Sequence, residues 1–225
     1  MGRIQHRRDI VQKEQQGQQG QKRDFNAVAG NWDQEPRRVK LAQEVVDAIL
    51  REVPLTREME ALDYGCGSGL VTLGLQPFVG RISGADSSQG MLDVLQGKLR
   101  EKQIGNVACQ LLDLEKQGLD RSYDLIVSSM TMHHVQDVAA LIGSLAAALK
   151  PGGWLALADL ETEDGRFHDE PTGVLHQGFS REFLAGEFSR RGLSDVHVAT
   201  AAAIEKGGPS GAVRSYPVIL CVGRK

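Results

Sequence analysis

The stretch LDYGCGSGL, residues 62–70, constrains this chain more than any other, because Gly65, Gly67 and Gly69 recur at every second position. Glycine lacks a Cβ and adopts positive φ readily, so a run like this predicts a turn whose backbone approaches another group closely. Such a turn needs a rigid frame, and the flanking pattern supplies one. The runs MEALDY, GRISGAD, NVACQLL, YDLIVSS and GGWLALADL read as strands, separated by the helical stretches SQGMLDVLQGKLREKQ and DVAALIGSLAAALK. That alternation predicts an α/β fold with a mostly parallel sheet, helices on both faces, and ligands beyond the carboxyl ends of the strands where strand order reverses. Ahead of it, PRRVKLAQEVVDAILREV predicts an amphipathic helix opened by Pro36, with Val39, Ala42, Val45, Val46, Ile49 and Leu50 on one face.

The 225 residues, 41% hydrophobic, suit one globular domain over residues 24–225, preceded by a Gln-rich basic tail over residues 1–23. That tail is too poor in large apolar side chains to fold alone and is expected to be mobile. Its basic residues could touch a phosphate backbone, but a solvated tail is the simpler reading. A net charge of -3 gives no chain-wide attraction to nucleic acid or anionic membranes. Cys66, Cys109 and Cys221 are widely separated, so neither a disulfide framework nor a zinc site is indicated, which suits a reducing cytoplasm. No apolar run approaches the roughly 20 residues of a membrane span, and no secretory leader is read at the N-terminus.

The glycine turn alone is shared by several classes of nucleotide-binding protein. A dinucleotide fingerprint would carry a third glycine three residues after the second, where this chain has Leu70. Asp63 precedes the turn, and a carboxylate there repels a pyrophosphate but attracts an ammonium group. Asp86 follows 21 residues beyond Gly65, at a strand end from which a carboxylate can accept both hydroxyls of a ribose. Asp113, after the next strand, could accept from an exocyclic adenine amine. Each acid has a plain alternative as a turn residue, but three closing consecutive strands argue jointly for a nucleoside carrying a cation.

With LDYGCGSGL, GADSSQGML, LLDLE, YDLIVSSMTMHHV and LKPGGWLALADL in this order, the chain resembles the class I S-adenosylmethionine-dependent methyltransferases. The resemblance covers most of residues 25–225 and is strongest to the small-molecule branch that includes the ubiquinone and menaquinone biosynthesis enzymes. It implies a Rossmann-like seven-stranded sheet with an antiparallel last strand, HVATAAAIE and SYPVILCVGRK being the last two strands. It also implies S-adenosylmethionine as cofactor. The donor's amino-acid part would lie against Asp63, Gly65, Gly67 and Gly69, its ribose on Asp86 beside Ser87, and its adenine among Met91, Asp113 and Leu114. Ser129 and Met130 would face the sulfonium. The segment FNAVAGNWD resembles the family's lid over the cofactor, with Phe25 and Trp32 either as lid residues or as a hydrophobic staple for the first helix.

The acceptor side carries the candidate bases His133 and His168, with His134 read as the more structural of its pair. Each could instead cap a turn. The acids Asp159, Glu161, Glu163 and Asp164 in DLETEDGRFHDEP match neither a calcium-loop nor a His-Glu metal motif, so no metal is expected. SSMTMHHV stands where amine and amide methylating enzymes of the family carry an Asn/Asp-Pro-Pro-aromatic motif, and none of the cysteines is placed as a cytosine-C5 nucleophile. These absences argue against DNA and for a small-molecule acceptor, methylated by in-line transfer. A tRNA or protein acceptor, a nicotinamide-dependent oxidoreductase and a non-catalytic cofactor-binding module are the alternatives. The family contains monomers and homodimers, so either is allowed.

Overall fold

A computed structural model describes residues 23–113, 116–207 and 213–225. The predicted tail therefore lies outside the described residues except for Arg23, and so does Leu114. The chain forms one seven-stranded sheet in the order β3-β2-β1-β4-β5-β7-β6. Its strands are β1 (Glu60–Tyr64), β2 (Arg81–Asp86), β3 (Val107–Leu111), β4 (Tyr123–Ser129), β5 (Leu149–Leu160), β6 (Ser194–Gly207) and β7 (Val213–Arg224). β1 through β5 pair in parallel, while β7 runs antiparallel to both β5 and β6.

Neighbouring residues on the central strands feed different cores. Leu62 and Ile126 join one apolar cluster, while Ala61 and Leu125 join another on the opposite face. A strand buried on both sides must be apolar without alternation, which is why YDLIVSS reads as a continuous run. One face is covered by α2 (Pro36–Glu52) and α3 (Leu70–Leu75), the other by α5 (Val138–Ala147) and α6 (Arg181–Arg190). A smaller cluster, formed by Cys66 with Leu92, Leu95 and Leu99, fixes α4 (Gln89–Glu101) beside the glycine turn.

Helix α2 begins at Pro36 as expected, but the residues it buries are Leu41, Ala42, Val45, Val46, Ala48 and Ile49. Val39, placed on that face by periodicity, is exposed. It lies in the first turn, ahead of the part of the helix that meets the sheet.

Candidate functional site

Strand order reverses between β1 and β4, since β2 and β3 lie on one side of β1 and β5 on the other. The crevice opened there is the expected ligand position in a doubly wound sheet. It holds a cavity of about 480 Å³ walled by residues from the ends of β1, β2, β4 and the segment after β3.

The glycines divide their work. Gly65, Gly67 and Gly69 all take positive φ, at 71°, 53° and 84°. A Cβ on Gly65 would lie 2.2 Å from Thr131 Oγ1, and one on Gly69 would lie 2.3 Å from Leu95 Cδ1. Those two permit close packing of the turn on the β4 end and on α4. A Cβ on Gly67 would meet nothing nearer than Met91 Sδ at 4.0 Å, so this position leaves its space to the cavity. Gly65 and Gly67 line the cavity, and Gly69 does not. Its place in the predicted set is that of a packing residue.

Asp63 is buried and accepts a hydrogen bond from Thr72 Oγ1 at 2.6 Å. Burial, with the charge of Asp86 added, pushes its pKa up to about 7 despite that bond. A buried carboxylate held that close to neutrality gains from a cationic partner, which suits an ammonium group. Asp86 accepts from the Gly67 N–H and the Ser88 N–H, both at 2.8 Å. Burial raises its pKa, and these backbone donors oppose the rise. Two donors leave lone pairs on its oxygens for ribose hydroxyls. Ser87, Met91, Asp113, Ser129 and Met130 complete this end of the wall. Met130 has a φ of 54°, unusual for a residue with a side chain, at the point where β4 gives way to the cavity. The chain thus brings a glycine turn and two acids, Asp63 and Asp86, from the ends of consecutive strands to one wall of the cavity.

The other end is aromatic and imidazole-rich. His133 is buried, and its Nδ1–H donates to Asp159 Oδ1 at 2.7 Å. The same carboxylate accepts from the His133 and Leu160 backbone N–H groups. Burial would raise the Asp159 pKa, but the charge on His133 and these hydrogen bonds hold it below the ordinary value. His134 donates its Nδ1–H to the Gly173 carbonyl at 2.7 Å, and its pKa is lowered to about 4 by burial and by the charge of His133. His168 is likewise lowered to about 4, mainly by burial, and its Nε2 is buried with no hydrogen-bond partner among the described residues. The His133 and His168 ring centroids are 4.9 Å apart, so residues 35 positions apart in sequence share one wall.

Phe25 and Trp32 also line this cavity, in edge contact at 5.9 Å, and Phe25 lies 5.2 Å from His134. Their segment, α1 (Phe25–Val28) and the turn after it, is tied down over the glycine turn. Asn26 Oδ1 accepts from the Gly90 N–H and Ser88 Oγ, and Asp33 pairs with Lys98 and accepts from Ser68 Oγ. The segment is thereby held beside the glycine turn and the start of α4, with Phe25 and Trp32 on the cavity wall.

Asp159 was missed as a site residue by sequence reasoning. The available signal was an acid inside the apolar run WLALADL, which must find a partner when buried. Its neighbours in the acidic stretch scatter, Glu161 to Arg181 and Asp164 to Arg214. Among the described residues, no group of three or more His, Cys, Asp or Glu is arranged to hold a metal ion, and no helix is long and apolar enough to cross a membrane.

Residues 35–198 match the family described as a methyltransferase domain. An uncharacterised methyltransferase of Schizosaccharomyces pombe is 34% identical over 156 residues, covering 62% of this chain and 55% of that protein. A ubiquinone biosynthesis O-methyltransferase of Coxiella burnetii is 33% identical over 95 residues, covering 42% and 40%. The chain spans about half the length of the curated relatives it matches. Among solved structures, the YcgJ protein of Bacillus subtilis superposes with a TM-score of 0.66 at 20% identity, covering 80% of this chain and 97% of that one. Haemonchus contortus phosphoethanolamine N-methyltransferase 2, solved with S-adenosylhomocysteine, superposes at 0.64 with 17% identity, covering 80% and 52%. With its Rossmann-like sheet, its glycine turn at the switch point and a family match over most of its length, this chain belongs to the methyltransferase-domain family.

Proposed function

We propose that the protein transfers a methyl group from S-adenosylmethionine to a small molecule that loses a proton in the reaction, with His133 as general base. The observation that carries this reading is the buried His133–Asp159 pair, whose imidazole lines the cavity just after the end of β4. Bound S-adenosylmethionine supplies an electrophilic methyl on a sulfonium. Asp63, Gly65, Gly67 and Asp86, which line the cavity, would hold it. Asp159 accepts from His133 Nδ1, which fixes the tautomer and leaves Nε2 free to take a proton. With the donor supplying its methyl group, His133 Nε2 would take the proton that the acceptor loses. His168, with a pKa near 4, is a weak base at neutral pH and serves better as a hydrogen-bonding partner. Phe25 and Trp32 exclude water.

The modest cavity, about 480 Å³, and the small-molecule chemistry in the relatives' names support a metabolite acceptor over tRNA or protein. Fluorescence titration tests the cofactor: S-adenosylhomocysteine should quench Trp32 saturably, whereas response to NADH alone would overturn the reading. Labelled-methyl transfer into metabolite fractions, lost in His133→Gln, tests the chemistry and separates an enzyme from a binding module.

A further inference from the structure

Two guanidinium groups flank one indole in the cavity wall. Arg38 Cζ lies 3.8 Å from the Trp32 ring centroid, and Arg23 Cζ lies 5.9 Å from the same ring and 5.6 Å from Phe25. Both arginines line the cavity. Neither has a carboxylate ion pair among the described residues, because the nearby acids are committed elsewhere. Glu35 pairs with Arg37 at 3.1 Å, Asp33 with Lys98, and Asp169 with Lys206 at 2.7 Å. Glu170, close enough to feel the charge of Arg23, accepts from the Thr172 N–H and hydroxyl. Arg38 donates to the Trp32 carbonyl at 3.2 Å.

Two neighbouring cations repel, and burial followed by the charge of Arg23 lowers the Arg38 pKa. An anion between them would relieve that repulsion and could be gripped by either planar fork. The cluster abuts the imidazole end: Phe25, which Arg23 touches, is 5.2 Å from His134, and the charge of Arg23 reaches both His134 and His168. The unpartnered Nε2 of His168 marks the same wall as one that a polar ligand group would complete.

We infer that Arg23 and Arg38 bind a carboxylate carried by the methyl acceptor, which is therefore a flat acid held against Trp32 and Phe25 with its reacting group at His133. This rests on the methyltransferase reading above. The methyl donor carries a carboxylate too, so the test must separate the two sources.

Calorimetry on the full chain loaded with S-adenosylhomocysteine compares 4-hydroxybenzoate with its uncharged twin, 4-hydroxybenzamide. The acid should bind at least about tenfold more tightly than the amide, as expected for a charge-assisted hydrogen-bonded pair. In Arg23→Gln and in Arg38→Gln that preference should shrink to about threefold or less, with S-adenosylhomocysteine affinity held near the wild-type value. Two single variants guard against one failing to fold. Equal binding of acid and amide, or no binding of the acid, overturns the inference. So does a roughly tenfold loss of S-adenosylhomocysteine affinity in both variants, because the guanidinium groups would then hold the donor's own carboxylate. Failure of S-adenosylhomocysteine to bind wild-type protein counts against the methyltransferase reading instead, and the same acid and amide pair titrated into unloaded protein then tests the anion site by itself.

Discussion

His133 Nδ1 and Asp159 Oδ1 stand 2.7 Å apart, both side chains almost wholly removed from solvent, with the ring on the wall of the cavity. The pair is preorganised: the carboxylate is already bound by two backbone N–H groups and cannot swing away. His133→Gln should therefore lower turnover by about 10²–10⁴-fold while S-adenosylhomocysteine affinity stays unchanged. Asp159→Asn should lower turnover too and distort the pH–rate profile, since the amide no longer holds Nδ1 as the protonated nitrogen. A profile identical to wild type in either variant would remove the pair from catalysis.

Asp86 braces the glycine turn through Gly67 N–H while facing the cavity. Asp86→Ala should weaken S-adenosylhomocysteine binding at least about tenfold, because each charge-assisted bond contributes about 1.5–3 kcal/mol. It should also lower the melting temperature, since two backbone donors lose their acceptor. Unchanged affinity in a folded variant would place the ribose elsewhere.

Asp63 has a pKa near 7, above the ordinary carboxylate value, because it is buried. An ammonium ligand prefers the ionised form, so binding should release a proton and grow tighter as pH rises through about 7 toward 8. Asp63→Asn keeps an acceptor for Thr72 but should abolish that dependence. Calorimetry in two buffers of different ionisation enthalpy reads the proton directly, and uptake or no transfer at pH 6.5 would contradict the assignment.

His168 is depressed to about 4 in the folded protein, so the unfolded chain binds more protons between there and about 6.5. Stability from this group is complete above pH 6.5 and is lost as pH falls toward 4. His168→Phe removes the loss. Between pH 6.5 and 4 the variant should gain about 1–2 kcal/mol relative to wild type, a value discounted for the partial exposure of the ring. Parallel melting curves across that range would exclude a buried neutral imidazole.

Gly65 and Gly67 should respond differently to alanine. At Gly65 the Cβ meets Thr131 at 2.2 Å, so Gly65→Ala should cost about 2–4 kcal/mol of stability. At Gly67 the cavity accepts the methyl, so Gly67→Ala should cost only about 1–2 kcal/mol for its positive φ but weaken cofactor binding. Denaturation and titration of the two variants separate packing from ligand contact.

The sheet, its glycine turn and the three acids at strand ends were legible in the sequence because they are local. Strand periodicity depends on neighbouring residues, positive φ at a turn favours glycine, and the carboxyl ends of parallel strands lie at the ligand edge. The buried face of α2 was legible at Ala42, Val45, Val46 and Ile49, but Leu41 and Ala48 are buried too, Leu50 is only partly so, and Val39 is exposed, because the width and end of that face depend on what the helix packs against rather than on helical period alone. Periodicity could not separate Gly69, which packs on Leu95, from Gly67, which faces the cavity, because both satisfy the same spacing. What tertiary structure alone decided was the pairing of His133 with Asp159 across 26 residues, the gathering of three histidines on one wall, and the meeting of Arg23 and Arg38 on Trp32. Those contacts join β5, the loop after it and the N-terminal segment, and they exist only because parallel strands bring their carboxyl ends to one edge. A charge in an apolar run announces that it needs a partner. Which partner it finds is fixed by the sheet order.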